Sequence, residues 1–264
     1  MPNRRLLIHP GFHKTGTTTL QETLRVNRPL LEPHVEVLVA GDMDLVQLSA
    51  ATKAFSEARS RDTKDAVREE AELLFATLAN DDPRPVLISH ENLSGHFIGH
   101  KTVFRYAAAP IALGLMVDAW EAVTGARDGL EVYFSTRREG WLASCYWQRL
   151  KGDRFRMPYD VFCSRYADAA DHAAIVAATR ARLTDVPVSN CDKEDFDHPI
   201  TPVLDLLGLG DLRRDMTIPE DRNTYPGGDA RARLWALNRS DLRGKAYWEA
   251  RRAIVHGPDG DERT

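Results

Sequence analysis

The sequence has few cysteines, no long apolar run and no large excess of charge of either sign. Its three cysteines, Cys145, Cys163 and Cys191, are too few and too scattered for a disulfide framework or a zinc cluster. The longest apolar stretch with helical spacing, residues 111–123, is interrupted by two acidic residues, and the apolar run near the N-terminus is short. We therefore expect no membrane span and no signal peptide.

The formal net charge is −4, so the overall charge gives no reason to expect nucleic acid or an anionic membrane as a partner. The hydrophobic content of 43% in 264 residues is enough for a substantial core. Together these properties predict a globular cytoplasmic protein in which any basic site is local.

The most informative part of the sequence is a glycine-bounded loop near the N-terminus. A short apolar run, Leu6-Leu7-Ile8, leads into this loop, and the residues from Thr17 to Arg25 have helical spacing. This order predicts a strand, a phosphate loop and a helix. In such a loop, successive backbone N–H groups and the positive end of the helix dipole stabilise an anion. Gly11 and Gly16 allow the tight turn and the close approach.

The loop lacks the lysine that loops for nucleoside triphosphates carry. The pattern G-x-x-x-x-G-K-[ST] places a lysine directly after the second glycine, where it contacts the β- and γ-phosphates. Thr17 stands at that position here, and the only lysine is Lys14, inside the loop. The hydroxyls that begin the helix suit a single phosphate. We expect Lys14 to contact the oxygen that joins this phosphate to a transferred group.

The segment GFHKTGTTTLQ resembles the 5′-phosphosulfate loop of the sulfotransferase superfamily, whose donor is 3′-phosphoadenosine 5′-phosphosulfate (PAPS). The resemblance implies that the backbone amides of the loop and the first hydroxyls of the helix hold the donor, and that the loop lysine acts on the bridging oxygen. The residues that would bind the donor here are His13, Lys14, Thr15, Gly16, Thr17 and Thr18.

Strands that alternate with helices predict an open parallel sheet, in which ligands bind at the carboxyl ends of the strands. Besides the strand before the loop, strands are predicted at residues 35–39, 86–89, 130–135 and 186–189, and helices over the second half of 43–80 and over 141–151. We predict one α/β domain over residues 1–256 and a polar tail at 257–264. Its central parallel sheet is flanked by helices, and the resemblance implies the P-loop nucleotide-hydrolase type of this fold.

Two candidate bases, His90 and Glu91, follow the strand at 86–89. Transfer to a hydroxyl needs a base, and a carboxylate suits this role if burial raises its pKa toward neutrality. An imidazole titrates near neutral pH without such a shift. The resemblance implies a glutamate in carbohydrate-modifying and bacterial sulfotransferases and a histidine in cytosolic ones. Along a continued strand the two side chains point to opposite faces, so we expect only one of them to face the site.

A third motif, from Arg137 to Ser144, resembles the site for the 3′-phosphate of PAPS, where an arginine and a serine clamp the phosphate. An arginine fork suits phosphate oxygens. The spacing is one residue shorter than relatives usually have, so Arg138 competes with Arg137 for this role. A fainter match to bacterial relatives is the segment Arg222-Asn223-Thr224-Tyr225.

The leading hypothesis is a sulfotransferase that moves a sulfuryl group from PAPS to a hydroxyl, or less favourably an amine, of a small molecule, lipid or carbohydrate. In-line displacement needs no metal ion and releases adenosine 3′,5′-bisphosphate. One alternative is a P-loop kinase-like, ATP-dependent phosphotransferase, and another is an inactive nucleotide-binding module. A basic rim at His96, His100 and Lys101 after the candidate bases, with Arg154 and Arg156 after the third motif, suggests an acidic acceptor. No oligomeric state is predicted.

Overall fold

The computed structural model describes residues 4–79, 82–152, 154–220 and 227–256. The tail predicted at 257–264 and the segment from Arg222 to Tyr225 lie outside these residues. The described residues form two compact units. The first comprises the described residues up to Glu139 and those from Asp168 to Glu220, and it contains the whole sheet.

The first unit is an α/β structure with a five-stranded parallel sheet. The strand order is β2-β3-β1-β4-β5, so the strand that leads into the glycine-bounded loop lies at the centre. Its register pairs His9 with Ser89 on one side and Ile8 with Val132 on the other. The strands are β1 (Leu6–His9), β2 (Glu36–Val39), β3 (Val86–Ser89), β4 (Leu130–Thr136) and β5 (Val188–Asp192).

Helices flank the sheet on both faces. The helices of this unit are α1 (Thr17–Val26), α2 (Arg28–Leu31), α3 (Val46–Ala58), α4 (Arg61–Leu78), α5 (Ala109–Thr124), α8 (His172–Arg182) and α9 (Thr201–Leu207). One face carries α1, α2 and α9, whose leucines pack in one core cluster with Leu7, Leu87 and Tyr133 of the sheet. The helices α3, α4, α5 and α8 pack against one another in succession.

The direction of the connections changes at the centre of the sheet. The connection after β1 leads to β2 on one side, and the connection after β3 leads to β4 on the other. With right-handed crossovers, these two connections lie on opposite faces of the sheet. Such a switch point opens a crevice at the carboxyl ends of the strands, where open α/β sheets bind their ligands. The loop after β1 and the segment after β3 both lie at that edge.

The second unit comprises Gly140–Ala167 and the described residues after Glu220. Its helices are α6 (Trp141–Lys151), α7 (Tyr159–Arg165), α10 (Ala230–Arg239) and α11 (Gly244–His256). The buried side chain of Asn238 on α10 joins α6 and α11, because its amide donates to the carbonyls of Leu150 and Phe155 at 3.1 Å and its oxygen accepts from the Tyr247 hydroxyl at 2.7 Å.

The structure confirms the predicted parallel sheet and differs from the prediction at two places. The stretch 43–80, predicted to hold one helix, contains both α3 and α4. The last strand begins at Val188 and continues to Asp192, whereas the sequence predicted it at 186–189. Within the residues described, no helix combines the length and the apolar character needed to cross a lipid bilayer.

Candidate functional site

The loop after β1 is a tight turn with three residues in the left-handed region. Gly11, Lys14 and Gly16 have positive φ angles of 51°, 68° and 97°. The first helical residue is Thr17, and the N-cap residue Gly16 has no side chain that could accept from the amides of the first turn. The first-turn N–H groups and the positive end of the helix dipole therefore favour an anion at this end of α1.

Three carbonyl groups of the loop accept hydrogen bonds from side chains of the protein. Gly11 O accepts from the Ser94 hydroxyl at 2.7 Å, and Lys14 O accepts from Nη1 of Arg137 at 3.4 Å. Phe12 O accepts from the Thr15 hydroxyl at 2.6 Å. These oxygens would repel an anion if they faced it. Thr15 thus supports the loop with its buried hydroxyl, and only its backbone amide is left for the binding role predicted from sequence.

A buried polar network lies beneath the loop at the carboxyl ends of the three central strands. The ring of His9 contacts the Ser89 hydroxyl at 2.8 Å and the Ser135 hydroxyl at 3.0 Å, and Ser135 contacts the Thr15 hydroxyl at 2.8 Å. Burial lowers the pKa of His9 to about 4, so the imidazole is neutral at pH 7. This network fixes the end of β1 to both neighbouring strands and to the loop.

Gly11 cannot carry a side chain without disturbing the loop. A Cβ atom at this position would lie 2.5 Å from Cγ2 of Thr17, and the φ angle is positive. We expect Gly11→Ala to lower the free energy of unfolding by about 2–4 kcal/mol, from left-handed strain and overpacking together. Urea denaturation followed by circular dichroism measures this loss.

Gly125→Ala is the matched control for that substitution. Gly125 has a φ angle of 83° and no atom within 4 Å of the Cβ position, so only strain of about 1–2 kcal/mol is expected. Equal losses in the two variants would contradict the close approach of Gly11 to Thr17.

His13 holds the loop against the segment that follows β3. Its Nε2 contacts Oδ1 of Asn92 at 3.1 Å, and its Nδ1 contacts the Tyr106 hydroxyl at 3.0 Å. Because Oδ1 can only accept, Nε2 carries the proton and Nδ1 accepts from the hydroxyl. Burial lowers the pKa of His13 to about 4, so this residue brings no positive charge to the loop at pH 7. Its predicted role in donor binding is therefore limited to its backbone amide.

The carboxylate of Glu91 lies beside the loop and is held by the first helix. Its Oε2 accepts from Nε2 of the buried Gln21 at 2.8 Å, and the same amide nitrogen donates to Ser89 O at 3.3 Å. Desolvation acts to raise the pKa of Glu91. The positive charge of protonated His13, the hydrogen bond from Gln21 and the positive charge of protonated His90 together outweigh desolvation and lower that pKa. Glu91 is therefore ionised at neutral pH.

Two expectations about the candidate bases are corrected by this geometry. The pKa of Glu91 is lowered, not raised toward neutrality, because the charged forms of His13 and His90 and the hydrogen bond from Gln21 together outweigh desolvation of the carboxylate. His90 and Glu91 also do not continue the strand with its alternating faces, since β3 ends at Ser89 and a 3-10 helix runs over Glu91–Ser94. His90 Nδ1 lies 3.8 Å from Glu91 Oε2, so both side chains share one environment.

His90 has a structural role in this arrangement. It is the N-cap residue of the 3-10 helix, and its Nδ1 accepts from the backbone N–H of Asn92 at 3.3 Å. The backbone N–H of His90 donates to the backbone carbonyl of His9 at 3.1 Å. Burial lowers the pKa of His90. Nδ1 is thus already engaged, which leaves Nε2 as the atom through which His90 could exchange a proton.

The two arginines after β4 have different surroundings. Arg138 donates to Asp192 at 2.6 Å and to both oxygens of Asp195 at 3.0 and 2.6 Å, and these hydrogen bonds raise the pKa of its guanidinium. Arg137 is partly buried and donates to Glu139 O at 2.7 Å and to the loop carbonyl of Lys14. Of the two, Arg137 is the one that contacts the loop.

The remaining predicted site residues are Thr17, Thr18 and Ser144. Thr17 is buried and Thr18 is exposed in the first turn of α1. Ser144 lies in the first turn of α6, in the second unit, where its N–H donates to Gly140 O at 3.0 Å. The pairing of Ser144 with Arg137 stays a prediction.

The basic residues expected to form a rim after the candidate bases lie around one carboxylate, that of Glu57. His100 Nε2 lies 3.0 Å from Glu57 Oε1, and Lys101 Nζ donates to Glu57 Oε2 at 2.6 Å. His96 Nε2 lies 3.8 Å from Glu57 Oε1. This acid lowers the net positive charge of the rim, which weakens the expectation of an acidic acceptor there.

Sequence reasoning missed several residues that build the site. Gln21, Asn92 and Tyr106 orient Glu91 and His13, and Lys193 Cδ lies 4.0 Å from where a Cβ at Gly16 would stand. A signal existed only for Gln21, which is a polar residue between Leu20 and Leu24 on the buried side of α1.

Comparisons of this chain with protein-family models, with curated proteins and with solved structures found no match.

Proposed function

We propose that this protein is a PAPS-dependent sulfotransferase with a P-loop-like donor site. The observation that carries the proposal is the loop after β1, with its two left-handed glycines and its carbonyls held by protein donors. Lys14 in that loop and Arg137 beside it provide the positive charge, and the carboxylate of Glu91 lies at the end of the neighbouring strand.

The residues of the loop fit a nucleotide that carries a single phosphate with a sulfuryl group. The amides of the first helical turn and the hydroxyls of Thr17 and Thr18 would bind the 5′-phosphate, and Lys14 would balance the charge that develops on the leaving phosphate. When bound, PAPS supplies the sulfuryl group, and adenosine 3′,5′-bisphosphate leaves. Arg137 would bind the 3′-phosphate, since a guanidinium suits phosphate oxygens.

Glu91 would accept the proton of the acceptor hydroxyl. A base must be unprotonated before the reaction, and the low pKa of Glu91 meets this condition at neutral pH. An anionic donor in the loop adds a like charge near the carboxylate, which raises the pKa of that carboxylate and makes it a better proton acceptor. The hydrogen bond from Gln21 keeps the carboxylate in place.

An ATP-dependent phosphotransferase is less well supported. It requires a lysine at position 17 and an aspartate that holds Mg²⁺ after an apolar strand. The strands beside β1 end in Ser89 and Thr136, neither of which is acidic. The aspartate at the end of β5, Asp192, is bound to Arg138.

Ligand-dependent thermal stability tests the proposal. We expect adenosine 3′,5′-bisphosphate at 100 times its Kd to stabilise the protein by about 2.7 kcal/mol, and ATP with Mg²⁺ to have a much smaller effect. Arg137→Ala should abolish most of the bisphosphate effect because it removes the arginine beside the loop. The measurement is the shift in Tm with each ligand.

Arg138→Ala is the matched control, since Arg138 binds Asp192 and Asp195 and does not contact the loop through any described hydrogen bond. The Arg138→Ala variant should still be stabilised by adenosine 3′,5′-bisphosphate as the wild type is. Stabilisation by ATP with Mg²⁺ alone would overturn the proposal in favour of the kinase-like alternative. Binding of the bisphosphate without its release from PAPS, across a library of acceptors, would favour the inactive nucleotide-binding module.

A further inference from the structure

Three metal-ligating side chains that take no part in the proposed transfer meet at the end of α3. Glu57 lies in the last turn of that helix, and His96 and His100 lie in the segment after the 3-10 helix. Their candidate ligand atoms all lie within 4.8 Å of one another. Imidazole nitrogen and carboxylate oxygen are ligands that Zn²⁺ commonly takes in proteins.

The backbone holds these ligands in place independently of any ion. The N–H of His96 donates to the Ser56 hydroxyl at 2.8 Å, and the Thr102 hydroxyl donates to Glu57 O at 2.8 Å. Gly95 has a positive φ of 103°, and a Cβ there would lie 2.6 Å from Cβ of Ser56. The segment from 95 to 102 therefore lies directly against the end of α3.

The ring of His96 is directed at Glu57 without a hydrogen bond. Its Nδ1 is buried and has no hydrogen-bond partner among the described residues, and its Nε2 is 3.8 Å from Glu57 Oε1, beyond hydrogen-bond range. A partly buried imidazole that faces a carboxylate across this gap leaves room for a cation between the ring nitrogen and the carboxylate oxygen.

We propose that Nε2 of His96, Nε2 of His100 and Oε1 of Glu57 bind one divalent zinc ion, with water at the fourth position. Lys101 Nζ, 2.6 Å from Oε2 of Glu57, would orient the ligating carboxylate from behind, as hydrogen-bond partners of metal ligands do. The centroids of the two imidazole rings are 3.6 Å apart, and their planes are 7° apart. Because the rings are nearly parallel, one of them must turn for the two lone pairs to converge on one ion.

The ion would fasten the segment after the candidate base to α3. This segment also includes Phe97, whose ring packs 5.2 Å from the ring of His13 in the phosphate loop. The zinc ion would therefore stabilise one wall of the site without entering the transfer reaction, for which no metal is expected. The proposal does not depend on the sulfotransferase assignment.

Calorimetric titration with ZnCl₂ tests this site on the full chain, produced without a histidine tag and stripped with a chelator. We expect one Zn²⁺ per chain, and His100→Ala and Glu57→Gln should each weaken binding by more than about tenfold, since each removes a ligand. His34→Ala, at an exposed histidine outside the cluster, is the control and should bind as the wild type does.

Visible absorption of the Co²⁺-loaded protein gives a second readout. The bands of a tetrahedral nitrogen and oxygen site should be present in the wild type and in His34→Ala, and absent in Glu57→Gln. Circular dichroism checks that each variant is folded. If His100→Ala does not fold, Glu57→Gln alone decides the test. Failure of the wild type to bind Zn²⁺, or undiminished binding in folded Glu57→Gln, would overturn the proposal.

Discussion

Lys14→Met should lower the rate of sulfuryl transfer from PAPS by about 10²–10³-fold, the loss typical for removal of one electrostatic donor to a developing charge. Methionine keeps an unbranched side chain, one heavy atom shorter than that of lysine, but carries no charge. It also has a Cβ, as lysine does, so the strain of the left-handed backbone at φ 68° is unchanged. Release of adenosine 3′,5′-bisphosphate in the presence of an acceptor measures the effect.

The loss should be in kcat more than in KM for PAPS. The negative charge on the leaving phosphate develops in the transition state, and an interaction made only there lowers kcat without weakening ground-state binding. Lys64→Met, on the separate helix α4, is the control and should retain full activity. A decrease of less than tenfold in Lys14→Met would exclude Lys14 from the bridging oxygen.

The sheet was predictable because most of its strands are buried and apolar. All four residues of β1 and all four of β3 are buried, and both strands were predicted from their apolar runs. The last strand, β5, was misplaced because its residues, from Val188 to Asp192, are mostly polar and only partly buried. A strand at the edge of a sheet is less buried and needs fewer apolar residues, so the hydrophobic pattern gave no signal for its true end.

The site was predictable in its residue types but not in its electrostatics. The lowered pKa of Glu91 depends on Gln21 and His13, which stand 70 and 78 positions earlier in the chain. The difference between Arg137 and Arg138 depends on Asp192, at the end of the misplaced edge strand, and on Asp195, in the 3-10 helix that follows it. Such contacts come from the tertiary fold and have no local pattern.

The Glu91 carboxylate and the His90 ring can be separated by a pair of conservative substitutions. Glu91→Gln keeps an oxygen that accepts from Gln21 but cannot take up a proton, and His90→Asn keeps an oxygen that accepts from the Asn92 N–H. Asparagine is also a favoured N-cap residue. Both variants should therefore fold and bind adenosine 3′,5′-bisphosphate as the wild type does.

We expect Glu91→Gln to lower kcat by about 10²–10⁴-fold, the range for loss of a general base, and His90→Asn to lower it by less than about tenfold. Since the pKa of Glu91 in the free protein is lowered from its usual value, kcat/KM of the wild type should show no acid limb from this group between about pH 5 and pH 8. The opposite order of losses would assign the proton transfer to His90. Unchanged kcat in Glu91→Gln would remove the carboxylate from the reaction and leave it only the contact with Gln21.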